Sequence, residues 1–509
     1  MKKNNLFKAV GIVILAYILM SWIVPIIYSI TGTEAQVSYQ IGFVSILSVL
    51  LETFSGFGTV VVYVLLVGAF YGVLKVTGAY DKVLELLSSK ASGKEKGVLI
   101  STIVGMAIIS SISGLDLGFL VVFPILISLL VKIGYDKLVA LSATLGATLI
   151  GMYGATFAGT LYGINNNVLN LKTFDQFVPK LIFLVVGLIA LIIFVLMYCK
   201  KKDFKFDSKK AVVKSDKNKK NKSKSAVKSS GKKALKKEKK ERTAVPALII
   251  IGIVMLVFFI GTTSWEGIFG SNVFSTAHEA WTGFKIGGFE ILNKLFGGVD
   301  ALGAWNTPVR FQVYSMILII AMIVLAIVYR VKVSECFEGF VDGIKEFVVP
   351  AILTILACSL FVFIYYNPVI TPVTSLLLSA TDEFNVALSG LYTIINSIFY
   401  VDYYYLAYSV LYSVTSVYTD SAVLSIISVM FANLYSLVMF VAPTSVLLLI
   451  SLSISDVKYG EWFKFIFKLV LTLLIVSFSV FMFMFGSLWL GIALAVLAIV
   501  VFILLNIRD

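Results

Sequence analysis

Uncharged apolar stretches follow one another along almost the whole chain, separated by short polar segments. A helix that crosses the hydrocarbon core of a membrane needs about 20 apolar residues, and most of the stretches have that length. They predict membrane segments at residues 6–30, 56–78, 97–134, 138–160, 181–200, 244–262, 313–331, 348–366, 385–418, 422–443, 465–486 and 488–506. The pattern therefore predicts an all-α integral membrane protein.

Two of these stretches, 97–134 and 385–418, are too long for a single crossing. We interpret each as a re-entrant helical hairpin, which enters the membrane and leaves it on the same side. Asp116 is the single charged residue between positions 97 and 131, and Asp402 is the single one between 384 and 419. A carboxylate at membrane depth is costly and is rarely found there without a partner or a function. The two aspartates therefore indicate an ion or substrate site.

The sequences around the two aspartates resemble each other in order and spacing. A Ser-Ile pair precedes each aspartate at the same offset, at 111–112 and 397–398, and a Gly-Ala-Thr or Ala-Pro-Thr triplet follows at 154–156 and 442–444. We infer inverted-topology repeats, each with a re-entrant hairpin and a discontinuous transmembrane helix, which is an architecture of secondary transporters. The first repeat is predicted at 1–200, with its hairpin at about 97–134, and the second at 312–509, with its hairpin at about 384–419.

A basic segment and a linking region separate the predicted repeats. Residues 200–242 contain 19 Lys and 1 Arg against 5 acidic residues, a net charge of +15, whereas the whole chain has +14. We predict a solvated cytoplasmic loop at 201–243, able to contact anionic lipid head groups, and a linking span with an extracytoplasmic loop at 244–311. Because the net positive charge of the chain comes from this one segment, no nucleic-acid partner is expected.

The distribution of basic residues predicts the orientation in the membrane. With both hairpins counted as re-entrant, the loops on the side of the N-terminus contain most of the Lys and Arg residues, which marks the cytoplasmic side. Both termini of this multi-pass cell-membrane protein are therefore predicted to be cytoplasmic. Arg310 falls in the extracytoplasmic loop, and no Lys or Arg is predicted inside the core of a span. The segments 37–54 and 336–347 are predicted to be helices in the head-group plane.

Candidate binding residues gather at the hairpin tips and at the predicted helix breaks. Backbone groups freed at such breaks must be satisfied by substrate, ion, water or side chains. The candidates are Ser111, Ser113, Gly114 and Asp116 in the first hairpin, Gly154, Thr156 and Gly159 in the first discontinuous helix, Asn396, Ser397 and Asp402 in the second hairpin, and Asn433, Pro443, Thr444 and Ser445 in the second discontinuous helix. Hydroxyl and carbonyl oxygens suit Na⁺, and proton coupling through the aspartates is equally open, since burial raises the pKa of a carboxylate. Small residues at these positions also fit plain helix packing.

Other chemistry finds little support in the sequence. The three cysteines, Cys199, Cys336 and Cys358, show no metal-ligand spacing, and the single histidine, His278, cannot form a metal cluster by itself. A GxxxxGK[ST] phosphate-binding loop is absent from the sequence, which argues against an ATP-driven motor in this chain. We therefore predict no enzyme activity, no resident metal and no cofactor, with Na⁺ a candidate coupling ion.

Three stretches resemble the dicarboxylate anaerobic carrier family, in the ion transporter superfamily that also holds the aminobenzoyl-glutamate transporters. They are Val-Gly-Ala-Phe-Tyr-Gly-Val-Leu-Lys-Val-Thr-Gly-Ala at 67–79, Gly-Tyr-Asp at 134–136 after an apolar run with Pro124, and 443–465, which begins Pro-Thr-Ser and ends Val-Lys-Tyr-Gly-Glu-Trp-Phe-Lys-Phe. The resemblance implies paired re-entrant hairpins in inverted repeats and a homodimer. The chain departs from the family at the first hairpin, where Asp116 stands alone instead of beside a second acid, and at 154–159, which lacks the Gly-Ser-Thr-x-Asn-Pro-like turn.

These observations predict a secondary active transporter of a small carboxylate-bearing metabolite, either a C4-dicarboxylate or an amino acid. The transporter would be coupled to Na⁺ or H⁺, with an elevator-like movement of the hairpins against a scaffold. The main alternative is an amino-acid exchanger, because some relatives are basic amino-acid exchangers and two aspartates would suit a cationic substrate. An ion channel and a membrane scaffold that uses the basic loop are the remaining alternatives.

Overall fold

The structure, a computed structural model, describes residues 4–31, 40–172, 176–202, 243–271, 273–296, 300–305 and 309–507. Nearly all of the predicted basic loop at 201–243 therefore lies outside the described residues. Within the described ranges the chain is helical, with isolated bridges in place of strands. The helices are α1 (Asn4–Thr31), α2 (Phe43–Val76), α3 (Ala79–Ala91), α4 (Glu95–Ser113), α5 (Phe123–Lys132), α6 (Lys137–Tyr153), α7 (Gly159–Asn167), α8 (Phe177–Lys202), α9 (Val245–Thr262), α10 (Trp265–Phe269), α11 (Val273–Thr282), α12 (Ile291–Phe296), α13 (Val309–Val328), α14 (Val333–Tyr366), α15 (Ile370–Leu378), α16 (Val386–Phe399), α17 (403–415), α18 (Ser421–Met439), α19 (Val446–Ser455), α20 (Tyr459–Met484) and α21 (Leu488–Ile507).

Ten of the helices in the described residues are long and apolar enough to cross a membrane. They are α1, α2, α4, α8, α9, α13, α14, α18, α20 and α21. Large apolar side chains cover their outer faces, as α21 shows with Trp489 at 81% exposure and Ile499 at 61%. Exposed apolar surface on this scale is stable in lipid and unfavourable in water. The chain is therefore a multi-pass membrane protein, as the hydropathy pattern predicted.

The longest helices, α2 and α14, pack against each other along their length. Each has 34 residues, which at about 1.5 Å per residue exceeds the thickness of a hydrocarbon core of about 30 Å. A Cβ on Gly68 would lie 2.5 Å from the carbonyl oxygen of Gly343, and one on Gly72 would lie 1.9 Å from that of Gly339. The two helices thus run antiparallel, and glycine is required at their contact because any side chain would separate the backbones.

The same two helices correct one expectation from the sequence. Residues 43–54 and 336–347 are turns of α2 and α14, continuous with the apolar parts that follow, and not separate helices in the head-group plane. Residues 37–39 lie outside the described residues. Both segments carry exposed apolar side chains, such as Phe43 and Phe337, beside polar ones, and each belongs to a helix longer than a hydrocarbon core of about 30 Å is thick.

Four predicted segments are interrupted, each near a candidate binding residue. In 97–134, α4 ends at Ser113 with Gly114 as its cap, and a 3₁₀ turn (Leu117–Val121) follows before α5. In 385–418, α16 ends before Tyr400, and α17 begins at Tyr403 and contains a π-helical turn. The stretches 138–160 and 422–443 break after α6 and α18, and the chain resumes in α7 and α19. The breaks agree with the sequence analysis, whereas the re-entrant course of these segments and the inverted repeats stay predictions. The names first hairpin and second hairpin are kept below for the segments 97–134 and 385–418.

Candidate functional site

An arginine bridges the two aspartates. Arg310 Nη2 donates to Asp116 Oδ2 at 3.1 Å and to Asp402 Oδ2 at 2.8 Å. The side chain of Arg310 is 5% exposed, and each aspartate side chain is 14% exposed. Removing Arg310 from this buried group would leave two carboxylates without a counter-charge away from water, which is strongly destabilising. These three residues, called the Asp–Arg–Asp triad below, form the centre of the candidate site.

Each member of the triad stands where a helical segment begins. Asp116 precedes the 3₁₀ turn, and its Oδ1 accepts a hydrogen bond from the Leu117 N–H at 2.5 Å. Asp402 precedes α17, and its Oδ1 accepts from the Tyr404 N–H at 2.8 Å. Arg310 lies in the first turn of α13. The aspartates therefore satisfy N–H groups that the helix breaks leave free, and the same carboxylates hold the arginine.

The position of Arg310 corrects the sequence analysis, which placed it in an extracytoplasmic loop. Hydropathy put this residue at the edge of an apolar stretch, where an arginine usually extends towards the head groups. The structure begins α13 at Val309 and turns the guanidinium inward between the two hairpins. One signal was present in the sequence, because two acids predicted at membrane depth require a basic partner. Arg310 is the one arginine among the basic residues assigned to the extracytoplasmic side.

Aromatic side chains enclose the guanidinium. The Phe311 ring centroid lies 4.8 Å from Arg310 Cζ. The Tyr63 ring packs against those of Phe311 and Tyr314, with centroids 5.8 and 5.5 Å apart. The Tyr63 hydroxyl also donates to the Leu117 carbonyl at 3.0 Å, so α2 is joined to the first hairpin beside Asp116. This wall keeps water from one side of the triad and strengthens its electrostatic interactions.

Polar contacts join each hairpin tip to the helix break in the same half of the chain. Ser111 Oγ donates to the Gly154 carbonyl at 2.6 Å, and the Thr156 N–H donates to the Ser111 carbonyl at 2.8 Å. In the second half, Thr444 Oγ1 donates to the Ile398 carbonyl at 2.7 Å. The Ser-Ile pair of each hairpin thus contacts the threonine of the triplet that follows it. The two motifs that suggested a repeat are in contact in both halves.

A small cavity of about 50 Å³ lies at the triad. It is lined by Gly114, Asp116, Met152, Ala155, Ala158, Thr160, Leu161, Arg310, Asp402, Tyr403, Ala432 and Tyr435. At Gly114 the backbone has a φ of +69°, and an added Cβ would lie 2.7 Å from the Cβ of Ala158. Glycine is needed here both for the left-handed turn and for the close approach of the two segments. The cavity has room for a few water molecules and would have to widen to admit a dicarboxylate.

The structure separates the sequence-predicted residues into groups. Gly114, Asp116 and Asp402 line the cavity, whereas Ser111, Gly154, Thr156 and Thr444 support the hairpin tips. The remaining residues with contacts inside their own helix or turn are Ser113, Gly159, Ser397, Pro443 and Ser445. The packing alternative holds for Gly154, where an added Cβ would lie 2.4 Å from the Leu184 nitrogen.

The two asparagines among the candidate binding residues, Asn396 and Asn433, are buried. Asn396 Nδ2 donates to the Tyr392 carbonyl at 2.8 Å, and Asn433 Nδ2 donates to the Tyr153 carbonyl at 3.0 Å. The Oδ1 atom of each asparagine has no hydrogen-bond partner in the described part of the chain. The Asn433 contact joins α18 to the end of α6, so the two discontinuous helices meet next to their breaks.

Comparison with known proteins identifies one family. The profile of DcuC, described as the C4-dicarboxylate anaerobic carrier, matches residues 6–486, which is nearly the whole chain. A relative in Haemophilus influenzae (strain ATCC 51907 / DSM 11121 / KW20 / Rd), named "Uncharacterized protein", is 25% identical over 142 residues. That match covers 28% of this chain and 28% of the relative. On the family match, the chain belongs to the C4-dicarboxylate anaerobic carrier family, a family of membrane transporters.

Proposed function

We propose that the protein is a secondary active transporter that carries a C4-dicarboxylate and is coupled to Na⁺ or H⁺. The family supports the substrate class. The observation that carries the mechanism is the buried Asp–Arg–Asp triad, which joins the tips of both hairpins through one guanidinium. A guanidinium binds carboxylates through parallel hydrogen bonds, so Arg310 is suited to exchange an aspartate for a carboxylate of the substrate.

The charge of the triad explains why transport would need a coupling cation. With both aspartates ionised, one arginine and two carboxylates carry a net charge of −1. A dicarboxylate brings two more negative charges into a site that is largely closed to water, where unpaired charge is costly. Cations or protons must therefore enter with the substrate. In this mechanism a substrate carboxylate replaces an aspartate at Arg310, and the released aspartate binds Na⁺ or a proton.

We further propose that the hairpins are re-entrant, belong to inverted repeats and move together in an elevator-like step. The matched contacts of Thr156 and Thr444 with their hairpins support a repeat. The end of α4 packs on the end of α6, where an added Cβ on Gly151 would lie 2.4 Å from the Ala107 carbonyl oxygen. The helix α5 ends at Lys132 and leads by a short turn to the start of α6, which supports opposite directions for α4 and α5.

The tightly packed α2–α14 pair is the natural scaffold for such a movement. At its glycine contacts the two backbones touch directly, so the helices are expected to stay fixed relative to each other. The cell-membrane location, cytoplasmic termini and homodimeric assembly belong to the same proposal, as does the assignment of the predicted repeat boundaries.

An amino-acid exchanger is the second candidate, because the triad offers both signs of charge. An amino acid could place its carboxylate at Arg310 and its ammonium group at Asp116 or Asp402. The family favours the dicarboxylate, but the charges of the triad fit both substrates. Competition between the two substrate classes for uptake separates them.

The experiment is uptake of radiolabelled succinate into proteoliposomes, with an inward Na⁺ gradient, an inward H⁺ gradient or neither. We expect saturable uptake that requires one of the gradients and is inhibited by fumarate and malate but not by lysine or glutamate. Inhibition by lysine, with exchange in the absence of a gradient, would replace the proposal with the exchanger. Conductance that does not saturate would indicate a channel. Deletion of residues 203–242 should leave uptake intact, which separates transport from a scaffolding role of the basic loop.

A further inference from the structure

A long apolar groove opens on the outside of the helical bundle, between α8, α20 and α21. Its volume is about 720 Å³. Representative lining residues are Val178 and Ile189 of α8, Phe483 of α20, and Ala495 and Phe502 of α21. The helix α21 begins at Leu488, two residues beyond the end of the family match at 486. The groove therefore includes a helix that lies outside the residues matched by the family profile.

A second cavity of about 620 Å³ continues the groove along the same three helices. On each helix, the residues that line it are displaced towards the same end of the bundle, where α8 ends, α20 begins and α21 ends. Four lysines line it, namely Lys201 and Lys202 of α8 and Lys464 and Lys468 of α20. An apolar groove thus leads directly to a positively charged pocket.

The charge of this pocket is not neutralised by its own acid. Glu461 lines the pocket but lies 3.5 Å from Lys458, with which it forms an ion pair. Among the described residues, Lys201, Lys202 and Lys464 form no ion pair, although Lys202 lies 5.9 Å from the Tyr198 ring centroid. Among the residues that the structure describes, four lysines and one glutamate therefore line the pocket, which leaves a surplus of positive charge.

The floor of the pocket is formed by packed aromatic rings. Phe465 of α20 lies between Phe194 and Tyr198 of α8, with centroids 4.9 and 4.8 Å away. The Tyr198 hydroxyl donates to Asp136 Oδ2 at 2.8 Å, which fixes the ring to the start of α6. At the opposite end of the groove, Ser479 Oγ donates to the Gly491 carbonyl at 2.7 Å and closes α20 onto α21. Both ends of the groove are held by specific contacts, so it is part of the fold.

We propose that this groove and pocket bind an anionic phospholipid, with the acyl chains between α8, α20 and α21 and the phosphate at the lysine cluster. An apolar channel of membrane depth that ends in a basic pocket matches the two parts of such a lipid, and basic pockets between transmembrane helices bind anionic head groups. A second copy of the chain fits less well. A two-fold symmetric contact pairs each surface patch with itself or its immediate surroundings, so this face would bring the lysine clusters of two protomers together.

The test is native mass spectrometry of the full chain released from nanodiscs that contain equal amounts of phosphatidylglycerol and phosphatidylcholine. We expect the protein to retain phosphatidylglycerol preferentially. In a Lys201→Gln/Lys464→Gln/Lys468→Gln variant the preference should fall by roughly tenfold or more, since each basic residue near anionic head groups contributes appreciably. A Lys90→Gln/Lys94→Gln variant, which changes two exposed lysines outside the pocket, should behave as the wild-type protein does.

A second pair of variants tests the groove with all lysines in place. Ala495→Trp fills the groove and should reduce retention of both lipids, whereas Val500→Trp, on another face of α21, should not. An unchanged preference in the lysine variant, or wild-type retention in Ala495→Trp, would overturn the proposal. So would efficient disulfide cross-linking between two protomers that carry Ala495→Cys, because the face would then be a protein interface.

Discussion

The two hairpin tips bring the same charge to the same arginine, but they are fastened differently. At the first tip, Ser110 Oγ lies 2.9 Å from the Leu115 carbonyl and 3.0 Å from the Thr148 carbonyl and shares its one hydrogen between them, and Ser111 and Thr156 add further bonds. At the second tip, the side-chain bond that joins the described residues of the tip to the following helix break is the one from Thr444 Oγ1 to the Ile398 carbonyl. Aromatic residues, among them Tyr403, take the place of the small residues of the first tip.

This difference suggests a division of roles within the site. Segments with few buried polar contacts open at a lower free-energy cost than densely bonded ones. The first hairpin, bonded to α6 and to the following break, is suited to hold Asp116 in a fixed position. The second hairpin is suited to move and carry Asp402 away from Arg310. The comparison therefore predicts that the second hairpin gates access to the triad.

The largest effect is expected from Arg310→Gln, which removes the partner of both hairpins at once. Two buried carboxylates would lose their counter-charge, at a cost of about 3–5 kcal/mol in the free energy of unfolding, and succinate uptake should be lost. Thermal denaturation and proteoliposome uptake measure the two effects. The neutral triple variant Asp116→Asn/Arg310→Gln/Asp402→Asn is the control, because it should recover much of the stability without recovering uptake. Normal uptake by either variant would remove the triad from the mechanism.

Asp116→Asn and Asp402→Asn should each reduce uptake strongly while the protein still folds, since one aspartate remains to pair with Arg310. If the second hairpin is the gate, Asp402→Asn should also free that hairpin from the arginine. Hydrogen exchange should then accelerate at 400–406 in Asp402→Asn, and change less at 114–121 in Asp116→Asn. Equal acceleration at both tips would contradict the division of roles.

A smaller effect is expected from removing the hydroxyl groups that fasten the tips. Ser111→Ala leaves the buried Gly154 carbonyl without its side-chain donor and should lower the free energy of unfolding by about 1–3 kcal/mol. Thr444→Val removes the bond to Ile398 and should cost about 1 kcal/mol, but it should alter the uptake rate more than Ser111→Ala does. Matched melting and uptake curves decide this. If Ser111→Ala changed the uptake rate more than Thr444→Val did, while Thr444→Val cost more stability, the gate would be assigned to the first hairpin.

Much of the helical architecture could be predicted from sequence, because apolar length determines which segments suit a membrane. The breaks near Gly114 and Pro443 could also be predicted, since glycine and proline weaken helices for known steric reasons. The segments 43–54 and 336–347 were misassigned because alternation of polar and apolar residues cannot distinguish a separate interfacial helix from the first turns of a 34-residue helix.

The site was predicted only in part. Asp116 and Asp402 were found because each is the single charged residue of a long uncharged stretch, and such a pattern is visible in the sequence itself. Arg310 was missed because its place between the hairpins depends on how α13 packs, which spacing along the chain does not reveal. The binding role predicted for Ser111 and Thr444 stays a prediction, and in the structure their hydroxyl groups donate to the backbone carbonyls of Gly154 and Ile398.

The central claim is that a substrate carboxylate takes the place of an aspartate at Arg310 and needs a cation to do so. Thermal unfolding of the purified protein with succinate, in the presence and absence of Na⁺ and at low and neutral pH, tests it most directly, because a bound ligand raises stability by mass action. Succinate should stabilise the wild-type protein only with Na⁺ or at low pH, and should not stabilise the neutral triple variant. Equal stabilisation of the triple variant, or full stabilisation without Na⁺ at neutral pH, would contradict the account.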